Sequence, residues 1–189
     1  SRPLSAQAVS PLVLFASSTS VYGQTDGSSV DESSVTVPTS FSGQTMLEAE
    51  ALIEQYSGPA SSIRFGGIYG RGKSRLVSRL EAGEICPREP AMISNRIHID
   101  DCCRIFMHLL WRYQAGQPLE SIYLAVDSQP TPLYEVMQWL ANKNRISLAS
   151  LRQGAASGRG GNKRCLNHRL LDSGFSLQYP SFKEGFSDE

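Results

Sequence analysis

Hydrophobic and polar positions along the chain alternate between two kinds of pattern. A short unbroken apolar run, Pro11 to Ala16 (PLVLFA), reads as a buried parallel strand, and Ser62 to Phe65 and SIYLAVD read as further strands. Between them lie stretches with helical spacing. Met46, Leu47, Ala49, Leu52 and Ile53 recur on one face, with Glu48, Glu50 and Glu54 on the other, and Gly58-Pro59 stops the helix. A second helix is expected from about Ser74 to Glu81. A third follows the short strand in NRIHIDD, with the aspartates as caps and Cys102, Ile105, Phe106, Leu109 and Leu110 as its buried stripe. A fourth is expected to open with Thr131 as N-cap and Pro132 at the first helical position and to run to about Ala141. Strands alternating with helices predict an α/β fold with a mostly parallel sheet.

The segment from Gly23 to Thr39 has no period and is rich in Gly, Ser, Asp and Thr, which predicts a surface loop. At 189 residues and 40% hydrophobic content the chain suits one compact unit with a core of its own. Eighteen basic residues balance eighteen acidic ones, so no net field favours nucleic acid or an anionic membrane surface. The basic stretch GRGGNKR reads as a solvated loop. Four cysteines without a C-x-x-C suit a reducing compartment, with Cys102 and Cys103 as small core residues, and the absence of a long apolar run points to a cytoplasmic protein.

Candidate chemistry gathers at strand ends. Ser17, Ser18 and Ser20 follow the first strand. Tyr22 and Tyr69 each stand in a YG just past a strand, where packing with the hydroxyl at a rim is the plain reading. His98 has no second histidine at ligand spacing, so no metal site is expected. Gly67 to Ser74 (GIYGRGKS) satisfies the phosphate-loop pattern G-x-x-x-x-G-K-[ST] and offers a P-loop NTPase as a rival reading, although Arg64 in the preceding strand suits it poorly.

LVLFASSTSVYG, SGQTMLEAE, IRFGGIYGRG and RIHIDD, in that order, resemble the C-terminal two-thirds of an extended short-chain dehydrogenase/reductase, the NAD-dependent epimerase/dehydratase family. The resemblance implies the C-terminal portion of a Rossmann-like doubly wound parallel sheet with small substrate-side elements. Residues 1–70 would be a partial dinucleotide-binding half, and residues 71–189 the substrate-side helices and closing strands of the same unit. It implies NAD or NADP as cofactor and a nucleotide sugar or similar small molecule as substrate. Ser18 would be the catalytic hydroxyl, and Ser17 with the Gly67, Ile68 and Tyr69 backbone would meet the cofactor. Lys73, Arg96 and His98 would line the substrate side.

Two departures qualify this. The family's catalytic tyrosine and lysine fall on Ser42 and Met46, or on Phe41 and Thr45 in a register slipped by one, so the usual proton relay is absent. No glycine-rich strand-turn-helix precedes the first strand, which suggests a truncated product or a half recruited from another chain, with a homo-oligomer as one route. The expected function is therefore an incomplete or weakly active epimerase-like oxidoreductase, or a non-catalytic NAD(P)-sensing module.

Overall fold

The structure is a computed structural model that describes residues 10–70, 72, 74–154 and 161–187. The strands are β1 (Val13–Ser18), β2 (Ser29–Val30), β3 (Ala60–Phe65), β4 (Gly67–Tyr69), β5 (Glu84–Ile85), β6 (Ile93–Ser94), β7 (Arg96–His98), β8 (Ile122–Ala125), β9 (Thr131–Pro132), β10 (Arg152–Gln153) and β11 (Arg164–Cys165). The helices are α1 (Phe41–Glu54), α2 (Arg75–Glu81), α3 (Ile99–Gln114), α4 (Leu133–Lys143), α5 (His168–Asp172) and α6 (Phe182–Ser187).

The central sheet has the order β1-β3-β8, all parallel, with Ser18 opposite Phe65 and Phe65 opposite Ala125. Side chains on a strand alternate between faces, and the two faces have different covers. Ile63 and Phe65 of β3 and Tyr123 and Ala125 of β8 pack with Cys102, Ile105 and Leu109 of α3 and Leu170 of α5. Leu124 and Val126 face the other way, against Val21, Tyr22, Val30 and Cys165, with Met46 and Leu47 of α1 alongside. Helices on both faces of a parallel sheet make this the α/β, doubly wound arrangement expected from the chain pattern. A third apolar cluster lies among α2, α4 and α6, where Leu80, Val136, Met137, Leu140 and Phe186 are buried around Tyr69. No helix of the described residues is long and apolar enough to cross a membrane.

Several local expectations are corrected. The predicted loop from Gly23 to Thr39 contains β2, which pairs in parallel with β11. Its partner lies far along the chain, so no local pattern marks it. On α1 the buried positions are Gly43 and Glu50, while Leu52 is 69% exposed. Gly43 lets the helix approach the chain closely, since a Cβ there would stand 2.4 Å from the Ser20 carbonyl oxygen. Cys103 is exposed beside the buried Cys102. Thr131 and Pro132 form β9 against β6, and α4 begins after them. The cap of α3 is His98, whose Nδ1 accepts from the Asp100 N–H at 3.2 Å. Asp101 instead accepts the backbone N–H groups of Gln178 and Tyr179, each at 2.9 Å, and so ties the C-terminal segment to α3.

Candidate functional site

The C-terminal ends of β1 and β3 are adjacent, and both chains turn away there. Ser18 closes β1 and caps a short 3-10 turn, Thr19–Val21, its Oγ accepting from the Ser20 N–H at 3.1 Å. After Phe65 the chain crosses from the central sheet to the β4–β7 pair. Gly66 N–H donates to Ala125 at 3.0 Å, and Gly67 N–H donates to Asn95 at 2.8 Å. The crossing needs a residue without a side chain, because a Cβ on Gly66 would stand 2.9 Å from the Asn95 carbonyl oxygen and from Val126. Gly70 is under the same demand: its φ is +114°, and a Cβ would meet His98 Nε2 at 2.4 Å.

A crevice of about 670 Å³ opens between these ends. Ser18, Thr19 and Ser20 form one wall. Gly66 to Gly70, Ser42 and Met46 of α1, and Asn95, Arg96 and Lys163 line the crevice as well. Open α/β sheets place ligands at such a position, outside the carboxyl ends of their strands. Ser42 and Met46 both line it, whereas Phe41 and Thr45 lie exposed outside it. The unslipped register is therefore the one that faces the crevice.

The residues singled out in the sequence part company here. Ser18, Gly67, Ile68, Tyr69 and Arg96 line the crevice. Ser17 does not: it points to the opposite face of β1 and its hydroxyl donates to Glu50 Oε1 at 2.5 Å. His98 is also outside, buried between Tyr69 and Tyr179 with ring centroids 5.3 and 4.0 Å away. Lys73 falls outside the described residues. Neither tyrosine presents a proton-relaying phenol. Tyr22 is buried, receives an N–H from Arg64 at 2.6 Å and donates to the Asp31 carbonyl at 2.8 Å. Burial pushes its pKa up to about 12. The Tyr69 hydroxyl reaches the Ser181 carbonyl at 3.4 Å and its ring packs on Phe186.

The described residues of the phosphate-loop pattern do not have a phosphate loop's geometry. Such a loop wraps its backbone N–H groups around a phosphate. Here Gly67 to Tyr69 run extended as β4, in register with Arg96 to His98. Ser74, which would hold magnesium, caps α2 by accepting from the Val77 N–H at 3.2 Å.

Two charged groups of the site went unread in the sequence or were read too lightly. Arg96 is 7% exposed, lines the crevice, and its guanidinium makes no hydrogen bond or ion pair with the described residues. Burial pulls its pKa down to about 10, partly offset by Asp127, so it stays a cation at neutral pH. Asp127 is buried behind it, its backbone N–H donating to the Arg96 carbonyl at 2.5 Å. Lys163 belongs to the basic stretch expected to be solvated, yet it is 2% exposed and its Nζ donates to the Tyr22 carbonyl at 2.8 Å.

Burial pushes the Asp127 carboxyl up to about 7 from an ordinary 3.8, against the pull of the Gln129 N–H and Arg96. The native state therefore holds a proton that the unfolded chain has released between those two values. This contribution to stability is complete below about pH 4 and is lost as pH rises through about 7, amounting to at most about 4 kcal/mol. Urea midpoints at pH 5 and pH 8 should differ less in Asp127→Asn than in the wild type. Equal differences would mean the carboxyl is already ionised at pH 5.

No family model matches the chain, and no curated protein matches it. Solved structures do. One, from Methylobacillus flagellatus and assigned as an NAD-dependent epimerase/dehydratase, is 36% identical, with a TM-score of 0.78 over 94% of this chain and 62% of its own. A conserved protein of unknown function from Silicibacter pomeroyi is 26% identical, with a TM-score of 0.79 over 93% of this chain and 64% of its own. DesIV, the dTDP-glucose 4,6-dehydratase of Streptomyces venezuelae solved with NAD and TYD bound, shares the fold at 24% identity, with a TM-score of 0.74 over 94% of this chain and 58% of its own.

Fold and crevice thus define an α/β chain with a parallel sheet and a crevice at its strand ends. It is similar to the NAD-dependent epimerase/dehydratases and has the fold of their C-terminal portion, spanning less than two thirds of the length of these structures.

Proposed function

We propose that this chain forms the substrate-binding part of an NAD(P)-dependent oxidoreductase of the epimerase/dehydratase kind, acting on a nucleotide sugar or a similar anionic small molecule. The observation that carries the reading is Arg96. A guanidinium held 7% exposed, facing a crevice and without a protein hydrogen-bond partner among the described residues, is costly to the fold. An anionic ligand would offset that cost, since a phosphate or carboxylate accepts from guanidinium in bidentate fashion.

The crevice fits a nicotinamide nucleotide in part. Ser18 ends β1 and the Ile68 and Tyr69 backbone runs in β4 just past β3, but Met46 has no charge to offer a ribose hydroxyl. When bound, such a nucleotide would supply hydride transfer. The chain's own contribution is to orient and hold: Ser18 toward the reacting oxygen, Arg96 toward the anionic group. Ser42 and Met46 also favour a second reading, a module that binds the nucleotide without turnover.

One pair of measurements separates the readings. Calorimetric titration of the protein with UDP-glucose and NAD+, followed by a nicotinamide absorbance assay across a panel of nucleotide sugars, should show saturable binding and turnover. Binding without turnover would favour the sensing module. Absence of binding to every member of the panel would overturn both.

A further inference from the structure

Among the described residues the crevice lacks an obvious proton carrier. Its described lining contains no carboxylate, imidazole or thiol, and Ser42 and Met46 stay uncharged near neutral pH. Its arginines do not release a proton in that range. The Tyr69 phenol is turned to the Ser181 carbonyl. Lys163 is the one remaining titratable group among the described lining residues.

The backbone around Lys163 is fixed on both sides. Asn95 Nδ2 donates to the Lys163 carbonyl at 3.0 Å, while Asn95 Oδ1 accepts from the Cys165 N–H at 2.8 Å. Asn162 reaches back to the chain before β6, accepting from Ile93 N–H at 2.8 Å and donating to the Ala91 carbonyl at 2.9 Å. Its Nζ then ends on the carbonyl of Tyr22, the residue that closes the turn after Ser18. A buried lysine costs solvation that a methionine would not, so a site needing only bulk would not hold one.

We propose that Lys163 carries the proton for the chemistry of this crevice, working beside Ser18. This rests on the oxidoreductase reading above. In alcohol oxidation the substrate O–H bond breaks and its proton passes to Nζ of the deprotonated form of the amine. The O–H electron pair closes the carbonyl as the carbinol hydride leaves for an oxidised nicotinamide nucleotide. Carbonyl reduction reverses each transfer. Burial holds the lysine below its ordinary pKa, opposed by Cys165 on the same arm, which favours the exchange. The other charged groups among the described lining residues are Arg75, Arg79 and Arg96, all cations.

Lysine-selective 15N NMR tests this on the intact protein. The Lys163 Nζ signal, assigned by its loss in Lys163→Met or Lys163→Arg, should titrate below exposed lysines. Its midpoint should move when NAD+ and UDP-glucose bind. A Nζ signal silent to ligands whose binding calorimetry confirms would overturn this proposal alone, whereas no binding would remove the oxidoreductase reading with it. Where the wild type turns over, Lys163→Met should bind both ligands within about threefold while turnover falls roughly 100-fold. Lys163→Arg, which keeps the charge but cannot release the proton, should not restore it. Turnover retained in Lys163→Met would overturn the proposal.

Discussion

Glu50→Ala should destabilise the protein by about 3–5 kcal/mol, among the largest effects any single substitution will have on its fold. Glu50 looks like a surface residue of α1, but it is 7% exposed and lies against the sheet. Both its oxygens accept from Arg64 of β3, at 2.9 and 3.2 Å from Nε and 2.6 Å from the Nη2 nitrogen. Ser17 of β1 donates to it as well, and Arg64 continues to the Tyr22 hydroxyl at 2.6 Å. One network therefore ties α1, two neighbouring strands and the turn that follows Ser18. Burial alone would lower the Arg64 pKa, but Glu50 and Tyr22 outweigh it and hold it above its ordinary value. Removing the carboxylate leaves that guanidinium buried at 3% exposure. Urea unfolding should show the loss as a lower midpoint, and replacing both partners, Glu50→Leu with Arg64→Met, should recover much of it because no unpaired charge then remains. A single-variant loss below about 1 kcal/mol would mean that water reaches Arg64 in the native state.

How much of this was readable in the chain follows from the range of each signal. The apolar run Val13 to Ala16 in β1, Ile63 and Phe65 in β3 and Ile122 to Ala125 in β8 mark short strands, and α3 carries a regular stripe, so these elements and the α/β plan stand out locally. The crevice was legible through Ser18 and the glycines after β3, because turns at strand ends leave small residues at short range. Glu50 escaped because helical spacing sorts residues by hydrophobicity, and its partner Arg64 makes a charged position the buried one. β2 and β11 escaped because each is two residues long and supported only by the other. Lys163 was hidden for the same reason: its burial depends on Tyr22 and Asn95, 141 and 68 residues away. The resemblance implies places for His98 and Ser17 in the site, whereas strand alternation sends Ser17 to the α1 face and ring packing encloses His98.

Arg96→Met should separate binding from stability. Methionine fills much of the same volume without a charge, so the fold should be as stable as the wild type or more so, by up to about 4 kcal/mol. Affinity for UDP-glucose should meanwhile fall by roughly 100-fold or more, the cost of losing a buried charged hydrogen-bonding partner at a ligand's anionic group. Arg96 favours the ionised form of Asp127, so its removal should also raise that carboxyl further and shift the pH-dependent part of stability to higher pH. Thermal melts at several pH values and calorimetric titration on the same variant read all three effects. The opposite pattern, a fold weakened by several kcal/mol with nucleotide-sugar affinity intact, would assign Arg96 to holding Asp127 in place. An anionic group entering the crevice would offset the cost of keeping this cation buried.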